Sequence, residues 1–132
     1  MVPVWIPEAE IRAIHAELLQ EHGGIDGPVD ENALGATLAL PQRLEHYSKS
    51  AATLPQLAAA YGFGFTKNYC FRDGNKRIAL AAIDVFLQMN GYELTAAEVD
   101  AVVTFLALAA GDFDENQLAE WISRNMQALG RG

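Results

Sequence analysis

Apolar residues recur at helical spacing along most of this chain, and the strict alternation that marks a half-buried strand is scarce. Ile11, Ile14 and Leu18 form one such helical stripe. Hydrophobic residues make up 51% of the composition, which is enough for a packed core. The pattern predicts an all-α fold, a compact bundle of about six helices in which residues 1–132 form a single domain.

Breaking and capping residues set the expected ends of the first two helices. Pro7 should open the first helix, and Gly23-Gly24 should close it. Asp30 is a candidate N-cap for the second helix, which Pro41 should stop because proline lacks a backbone N–H and clashes with the preceding turn. Residues 41–53 lose the helical periodicity, and we expect a loop or a short hairpin there.

Thr53 and Gln56 have the spacing of a capping box, which predicts the start of a third helix. Gly62 and Gly64 lie inside that helix, and each costs about 1 kcal/mol relative to alanine. We therefore expect another element to approach closely at both glycines. The apolar face of this helix is predicted to contain Leu57, Tyr61 and Phe65 and to extend towards Tyr69.

Three further helices are predicted in the second half of the chain. The fourth should end at Asn90-Gly91, the fifth should span residues 96–109, and Asp114 should cap the sixth. The expected apolar faces are Ile78, Ala82, Val85, Phe86 and Met89 on the fourth helix, and Leu118, Trp121, Ile122 and Met126 on the sixth.

Charge and rare residue types exclude several classes of protein. A net charge of −8 argues against a protein that binds nucleic acid through its phosphates. No apolar run approaches the roughly 18 residues of a membrane span, and no signal-peptide pattern is present, so we expect a cytoplasmic protein without a membrane partner. The single cysteine rules out an internal disulfide, and His15, His22 and His46 lack metal-ligand spacing.

Residues 69–77 place an acid, a glycine, an amide and two cations where a helix is expected to begin. The first amides of a helix and the helix dipole attract phosphate. Gly74 would let the backbone approach a ligand closely, and Asn75 could donate to a phosphate oxygen. Lys76 and Arg77 would add positive charge, so this segment predicts a phosphate-binding site.

Asp73 is the candidate metal ligand, because magnesium favours carboxylate and phosphate oxygens. Spacing alone leaves an alternative open, in which an Asp-Gly turn is followed by two solvated cations. The distribution of charge favours the anion site. Lys67, Arg72, Lys76 and Arg77 are four of the nine basic residues and fall within eleven positions of an otherwise acidic chain.

The same segment resembles the signature of the Fic/Doc family, which is histidine, any residue, Phe, any residue, Asp, Gly or Ala, Asn, Lys and Arg. Every specified position from Phe71 to Arg77 matches, and Tyr69 occupies the position of the catalytic histidine. The order of helices is similar over nearly the whole chain. The resemblance implies a Fic/Doc-type bundle with a short flap. Its site would use Phe71 as loop anchor, Asp73 as metal ligand, and Asn75, Lys76 and Arg77 as phosphate binders.

Two positions indicate the Doc branch of the family. Members that transfer a nucleotide usually have glycine where this chain has Lys76 and arginine where it has Leu80. The resemblance then implies a toxin that uses ATP and Mg²⁺ to phosphorylate a threonine of elongation factor Tu and so arrests translation. AMPylation by nucleotide transfer is the alternative within the family.

The resemblance also implies how the toxin would be controlled and how it would hold its target. Many Fic proteins carry an inhibitory helix with Ser or Thr, three residues, Glu, then Gly or Asn, and this chain has no such string. An antitoxin of the Phd type would therefore act in trans. The loop at residues 41–53 would be the flap that aligns the backbone of the target as an added strand.

Tyr69 predicts impaired catalysis. A phenol has an unperturbed pKa of about 10, so it is a poor general base at neutral pH, and loss of a base typically costs about 10² to 10⁴ in rate. Three explanations stay open: selected or engineered inactivation of a toxic protein, a natural non-catalytic protein that sequesters a nucleotide or a partner, and altered chemistry at Tyr69. His46, in the expected flap, is a candidate substitute base.

Overall fold

The structure, a computed structural model, describes residues 2–130 and confirms the all-α prediction. The single-domain prediction for residues 1–132 stays a prediction, and its residues 1, 131 and 132 lie outside the described part. Within that part the elements are α1 (Glu8–His22), α2 (Glu31–Tyr47), α3 (Leu54–Asn68), α4 (Asn75–Met89), β1 (Tyr92–Leu94), α5 (Glu98–Ala110), α6 (Glu115–Arg124) and β2 (Met126–Ala128).

Helix α3 is the centre of the fold, and it packs against α2, α4 and α6. Its predicted apolar face is confirmed, since Leu57, Tyr61 and Phe65 are fully buried. The two glycines are confirmed as points of close approach. A Cβ at Gly62 would lie 2.5 Å from Cδ1 of Ile83 on α4, and a Cβ at Gly64 would lie 2.9 Å from Leu40 Cδ1 and from Thr37 Cγ2 on α2.

Local capping signals set most of the helix ends. The predicted capping box of α3 is present, with Gln56 N donating to Thr53 Oγ1 and Thr53 N donating to Gln56 Oε1. Asp114 caps α6 in the same way with Gln117. The expected ends of α1, α4 and α5 lie within two residues of those observed. These ends depend on neighbours in the chain, which is why sequence alone predicts them.

The prediction that Pro41 stops the second helix is wrong. Helix α2 continues through Pro41 to Tyr47, and Pro41 is buried. Proline removes one intrahelical hydrogen bond, and the packing of α2 along α3 outweighs that loss. The predicted loop at residues 41–53 is therefore shortened to residues 48–53, and these residues form no strand.

Two three-residue strands escaped prediction. Antiparallel β1 and β2 pair Tyr92 with Ala128 and Leu94 with Met126. Met126, expected on the sixth helix, lies in β2, because α6 ends at Arg124. Three residues are too few to show strand alternation, and the pairing partners are more than thirty positions apart. Between residues 2 and 130, no helix combines the length and the apolar character that crossing a bilayer requires.

Candidate functional site

The loop that joins α3 to α4 lies between two residues of left-handed backbone conformation. Tyr69 ends α3 with φ 48° and ψ 51°, and Gly74 precedes α4 with φ 78° and ψ 18°. Tyr69 is the one non-glycine residue with positive φ in the described part of the chain. Its side chain is 72% exposed, so the apolar face of α3 ends at Phe65 and Tyr69 points outward instead. A bulky residue in this conformation stores backbone strain.

Phe71 and Asn75 hold the loop in shape. Phe71 is buried, as its predicted anchoring role requires. The side chain of Asn75 accepts a hydrogen bond from Phe71 N at 3.1 Å and donates one to Phe71 O at 2.8 Å. The predicted contact of Asn75 with phosphate stays a prediction. Because one hydrogen of the side-chain Nδ2 already bonds to Phe71 O, that contact would use the other hydrogen.

His15 is a site residue that sequence analysis missed. Its ring stacks on Phe71 with centroids 3.7 Å apart and planes 15° apart. Its Nε2 lies 2.8 Å from the carbonyl oxygen of Asp73, and since a carbonyl only accepts, Nε2 carries the proton. The available signal was its position four residues after Ile11 on the buried face of α1. His15 therefore fixes the peptide that joins Asp73 to Gly74.

The carboxylate of Asp73 is held by backbone amides from two segments. Ile25 N donates to Oδ2 at 3.0 Å, and Gly74 N donates to Oδ1 at 2.8 Å. The hydrogen bond from Ile25 first, and then that from Gly74, lower the pKa of Asp73 below its ordinary value. Asp73 is thus an ionised carboxylate at the rim of the loop. One such carboxylate fits magnesium, which takes its remaining ligands from phosphate and water.

Asp73→Asn should change how stability depends on pH. Since the folded pKa is below the unfolded value of about 3.9, the ionised carboxylate stabilises the fold above that pH, and the contribution disappears as pH falls through the folded pKa. We expect the variant to be less stable than the parent at pH 7 and to approach it at pH 3. Chemical unfolding at both pH values measures this. A stability difference that is equal at both would contradict the assignment.

A cleft of about 500 Å³ opens between the α3–α4 loop, the start of α4 and one face of α5. Sequence analysis predicted the polar side of this cleft, and all of those residues line it: Tyr69, Asp73, Gly74, Asn75, Lys76 and Arg77. Leu80 lines it as well. The opposite wall, from α5, is apolar and was not predicted to face the site. The cleft therefore has one charged side and one apolar side.

The start of α4 is arranged to receive an anion. No acidic residue lies in its first turn, and no side chain caps it. The first amides of the helix are thus open to a ligand, and the dipole favours negative charge there. Lys76 and Arg77 are exposed, and neither forms an ion pair with a carboxylate of the described residues. Exposed cations beside free helix amides are groups that bind anions in proteins, and the phosphate contacts predicted for this turn stay a prediction.

The Fic/DOC family model matches residues 5–87, which include α1 to α3, the whole loop just described and α4 as far as Leu87. The chain belongs to the Fic/DOC family. A curated relative is the protein named "Protein kinase doc" of Escherichia phage P1, which is 26% identical over 119 residues, covering 90% of this chain and 93% of the phage protein. The recognition of the Fic/Doc family from residues 69–77 is therefore confirmed.

The position of the expected Fic flap needs correction. Residues 48–53 precede α3, whereas the loop follows its far end, and 15 helical residues span about 22 Å. His46 lies in the last turn of α2 at the same remote end and does not line the cleft. The segment beside the site is instead residues 23–30, between α1 and α2.

Residues 23–30 touch the motif loop at several points. Besides the bond from Ile25 to Asp73, Asp30 N donates to Cys70 O at 2.9 Å. A Cβ at Gly27 would lie 2.6 Å from Cδ of Arg72, and one at Gly24 would lie 3.0 Å from Oδ2 of Asp73. Nearly all of this segment is exposed. It is therefore the exposed backbone that a protein bound at the cleft of this Fic domain would meet.

Proposed function

We propose that this Fic/DOC protein is a Doc-like toxin of a toxin–antitoxin module that binds ATP with magnesium and carries an impaired site for phosphorylating a protein. The observation that carries the proposal is the convergence on one cleft of an ionised Asp73, the open amides of α4, and the side chains of Lys76 and Arg77. These are the groups that neutralise charge in phosphoryl transfer. The kinase name of the phage relative supports the same class of chemistry.

Each residue of the cleft has a role in this proposal. Asp73 would hold the metal, and Lys76, Arg77 and the amides after Gly74 would bind phosphate oxygens. Magnesium would neutralise the phosphates when bound. His15 and Asn75 position the loop and do not react. Tyr69 stands where the family has its base, and its exposed phenol makes no hydrogen bond to any described residue.

The target and the regulator of this toxin follow from the Doc assignment. The hydroxyl that receives phosphate would be a threonine of elongation factor Tu, presented by an extended segment of the target. Residues 23–30 take over the flap role, because their exposed backbone lies next to Asp73 and Arg72. An antitoxin of the Phd type would neutralise the site in trans.

A second candidate function is favoured by Tyr69 itself. A protein with an intact phosphate site and no histidine base would bind a nucleotide or a partner without transferring phosphate. Both candidate functions use the same cleft. Replacing Tyr69 by histidine would make a toxin arrest growth, whereas a non-catalytic binding protein would leave growth unchanged.

Calorimetry with magnesium and ATP tests the nucleotide site in the chain as it stands. We expect binding by the parent protein, and at least about tenfold weaker binding by Arg77→Ala, since a hydrogen bond to a charged group contributes about 1.5–3 kcal/mol. Arg124→Ala is the matched control, because Arg124 pairs with Glu120 on α6 and does not line the cleft. Equal affinities for parent and Arg77→Ala would refute the proposed phosphate site.

A further inference from the structure

Arg72 is a third exposed cation of the cleft, and the family signature leaves its position open to any residue. It lines the cleft together with Lys76 and Arg77. Like them, it forms no ion pair with a carboxylate of the described residues. The planar guanidinium of an arginine fits the oxygens of a phosphate group, so an exposed and unpaired arginine in a cleft is suited to bind one.

Gly27, in the segment between α1 and α2, leaves room for the stem of Arg72. The three atoms nearest to a Cβ placed at Gly27 all belong to Arg72: Cδ at 2.6 Å, Cβ at 3.5 Å and Cγ at 3.6 Å. Gly27 is not among the glycines with positive φ, so its backbone conformation does not require glycine, whereas the close approach of Arg72 does. An arginine whose stem is already held against the backbone loses less conformational entropy when it binds a ligand.

We propose that Arg72 is a third phosphate-binding cation of the nucleotide site and that Gly27 is its positioning residue. Asp73 is ionised, and its negative charge offsets one of the two cations of α4 that line the cleft. Arg72 restores that charge, which favours magnesium ATP because this ligand is a net anion. The inference rests on the proposed nucleotide site and adds to it a residue that the family signature does not specify.

Removal of the guanidinium tests the phosphate contact. We expect Arg72→Ala to bind magnesium ATP at least about tenfold more weakly than the parent in calorimetry, as the loss of a charge-assisted hydrogen bond predicts. Magnesium tripolyphosphate, which has no nucleoside, should lose the same factor. Lys67→Ala is the matched control, because Lys67 lies over the ring of Phe63 and does not line the cleft. It removes the same charge, and its affinity should stay within about twofold of the parent, since salt screens distant charges.

A double-mutant cycle tests the role of Gly27. The added methyl group of Gly27→Ala displaces a flexible side chain, so we expect the variant to fold. It should bind magnesium ATP about threefold more weakly than the parent, because the stem of Arg72 is then no longer held. In the Arg72→Ala background the same substitution should have no further effect on binding, whereas a general structural effect of the methyl group would appear in both backgrounds.

Each other outcome contradicts a separate part of the inference. A parent that binds ATP with an Arg72→Ala variant of equal affinity overturns the phosphate contact alone. Weakening of ATP but not of tripolyphosphate also overturns it, because the contact would then lie at the nucleoside. Equal weakening by Lys67→Ala would assign the effect to long-range charge. Equal effects of Gly27→Ala in both backgrounds overturn the positioning role, and a parent that does not bind ATP overturns the proposed function together with this inference.

Discussion

Replacing Tyr69 by histidine should turn a protein that bacteria tolerate into one that arrests their growth. The rest of the motif is in place: Asp73 is ionised, and Lys76 and Arg77 line the cleft with it. An imidazole titrates near neutral pH and can take the proton of a hydroxyl, so restoring it should raise the transfer rate by about 10² to 10⁴. Colony counts after induction of matched amounts of parent and variant measure the result.

The backbone at position 69 should accept the replacement. Histidine is enriched over most residues in the left-handed conformation that Tyr69 adopts, so Tyr69→His is expected to fold at least as well as the parent. Tyr69→Phe is the matched control that removes the phenol hydroxyl without providing a base, and it should be tolerated. The double variant Tyr69→His with Arg77→Ala should also be tolerated. Equal growth of cells that express the parent and Tyr69→His would reject the toxin and leave the non-catalytic binding protein.

The second large effect concerns which phosphate is transferred. In a bacterial extract, Tyr69→His should label a protein of the mass of elongation factor Tu from ATP labelled at the γ-phosphate, and should leave it unlabelled when the α-phosphate carries the label. Nucleotide transfer leaves the α-phosphate attached to the target protein, and a cation near the leaving diphosphate favours that reaction. At the corresponding place this chain has Leu80, a partly buried aliphatic residue on the apolar side of the cleft. Lys76 next to Arg77 instead adds charge at the start of α4, where phosphate is predicted to bind.

The outcome of the labelling is all or none, so it separates the two reactions clearly. The parent protein is the control for background kinases in the extract, and Tyr69→His with Asp73→Asn is the control for a metal-dependent reaction at this site. Label retained from the α-phosphate would show that the chain belongs with the nucleotidyl-transferring members of the family despite Lys76. If Tyr69→His arrests the growth of cells but labels no protein of this mass from either phosphate of ATP, elongation factor Tu is excluded as the target.

Contiguous residues determined the parts of this protein that sequence predicted well. The capping boxes at Thr53 and Asp114 join residues three apart, and the buried stripe of α3 follows from helical spacing. The polar side of the cleft also comes from one segment, residues 69–77, so its composition was evident before its geometry. In each case the interacting groups are near neighbours in the chain, and local backbone geometry brings them together.

Tertiary structure alone decided the rest of the site. His15 reaches Asp73 across 58 positions, and Ile25 reaches it across 48. The apolar wall from α5 is likewise visible only once the helices have packed. Pro41 illustrates the same limit, since its local cost is outweighed by the packing of α2 on α3. The sequence by itself determined most of the helix ends and the composition of the loop before α4, because those depend on residues that are close in the chain. Which segments surround that loop depends on long-range packing, which no local pattern records.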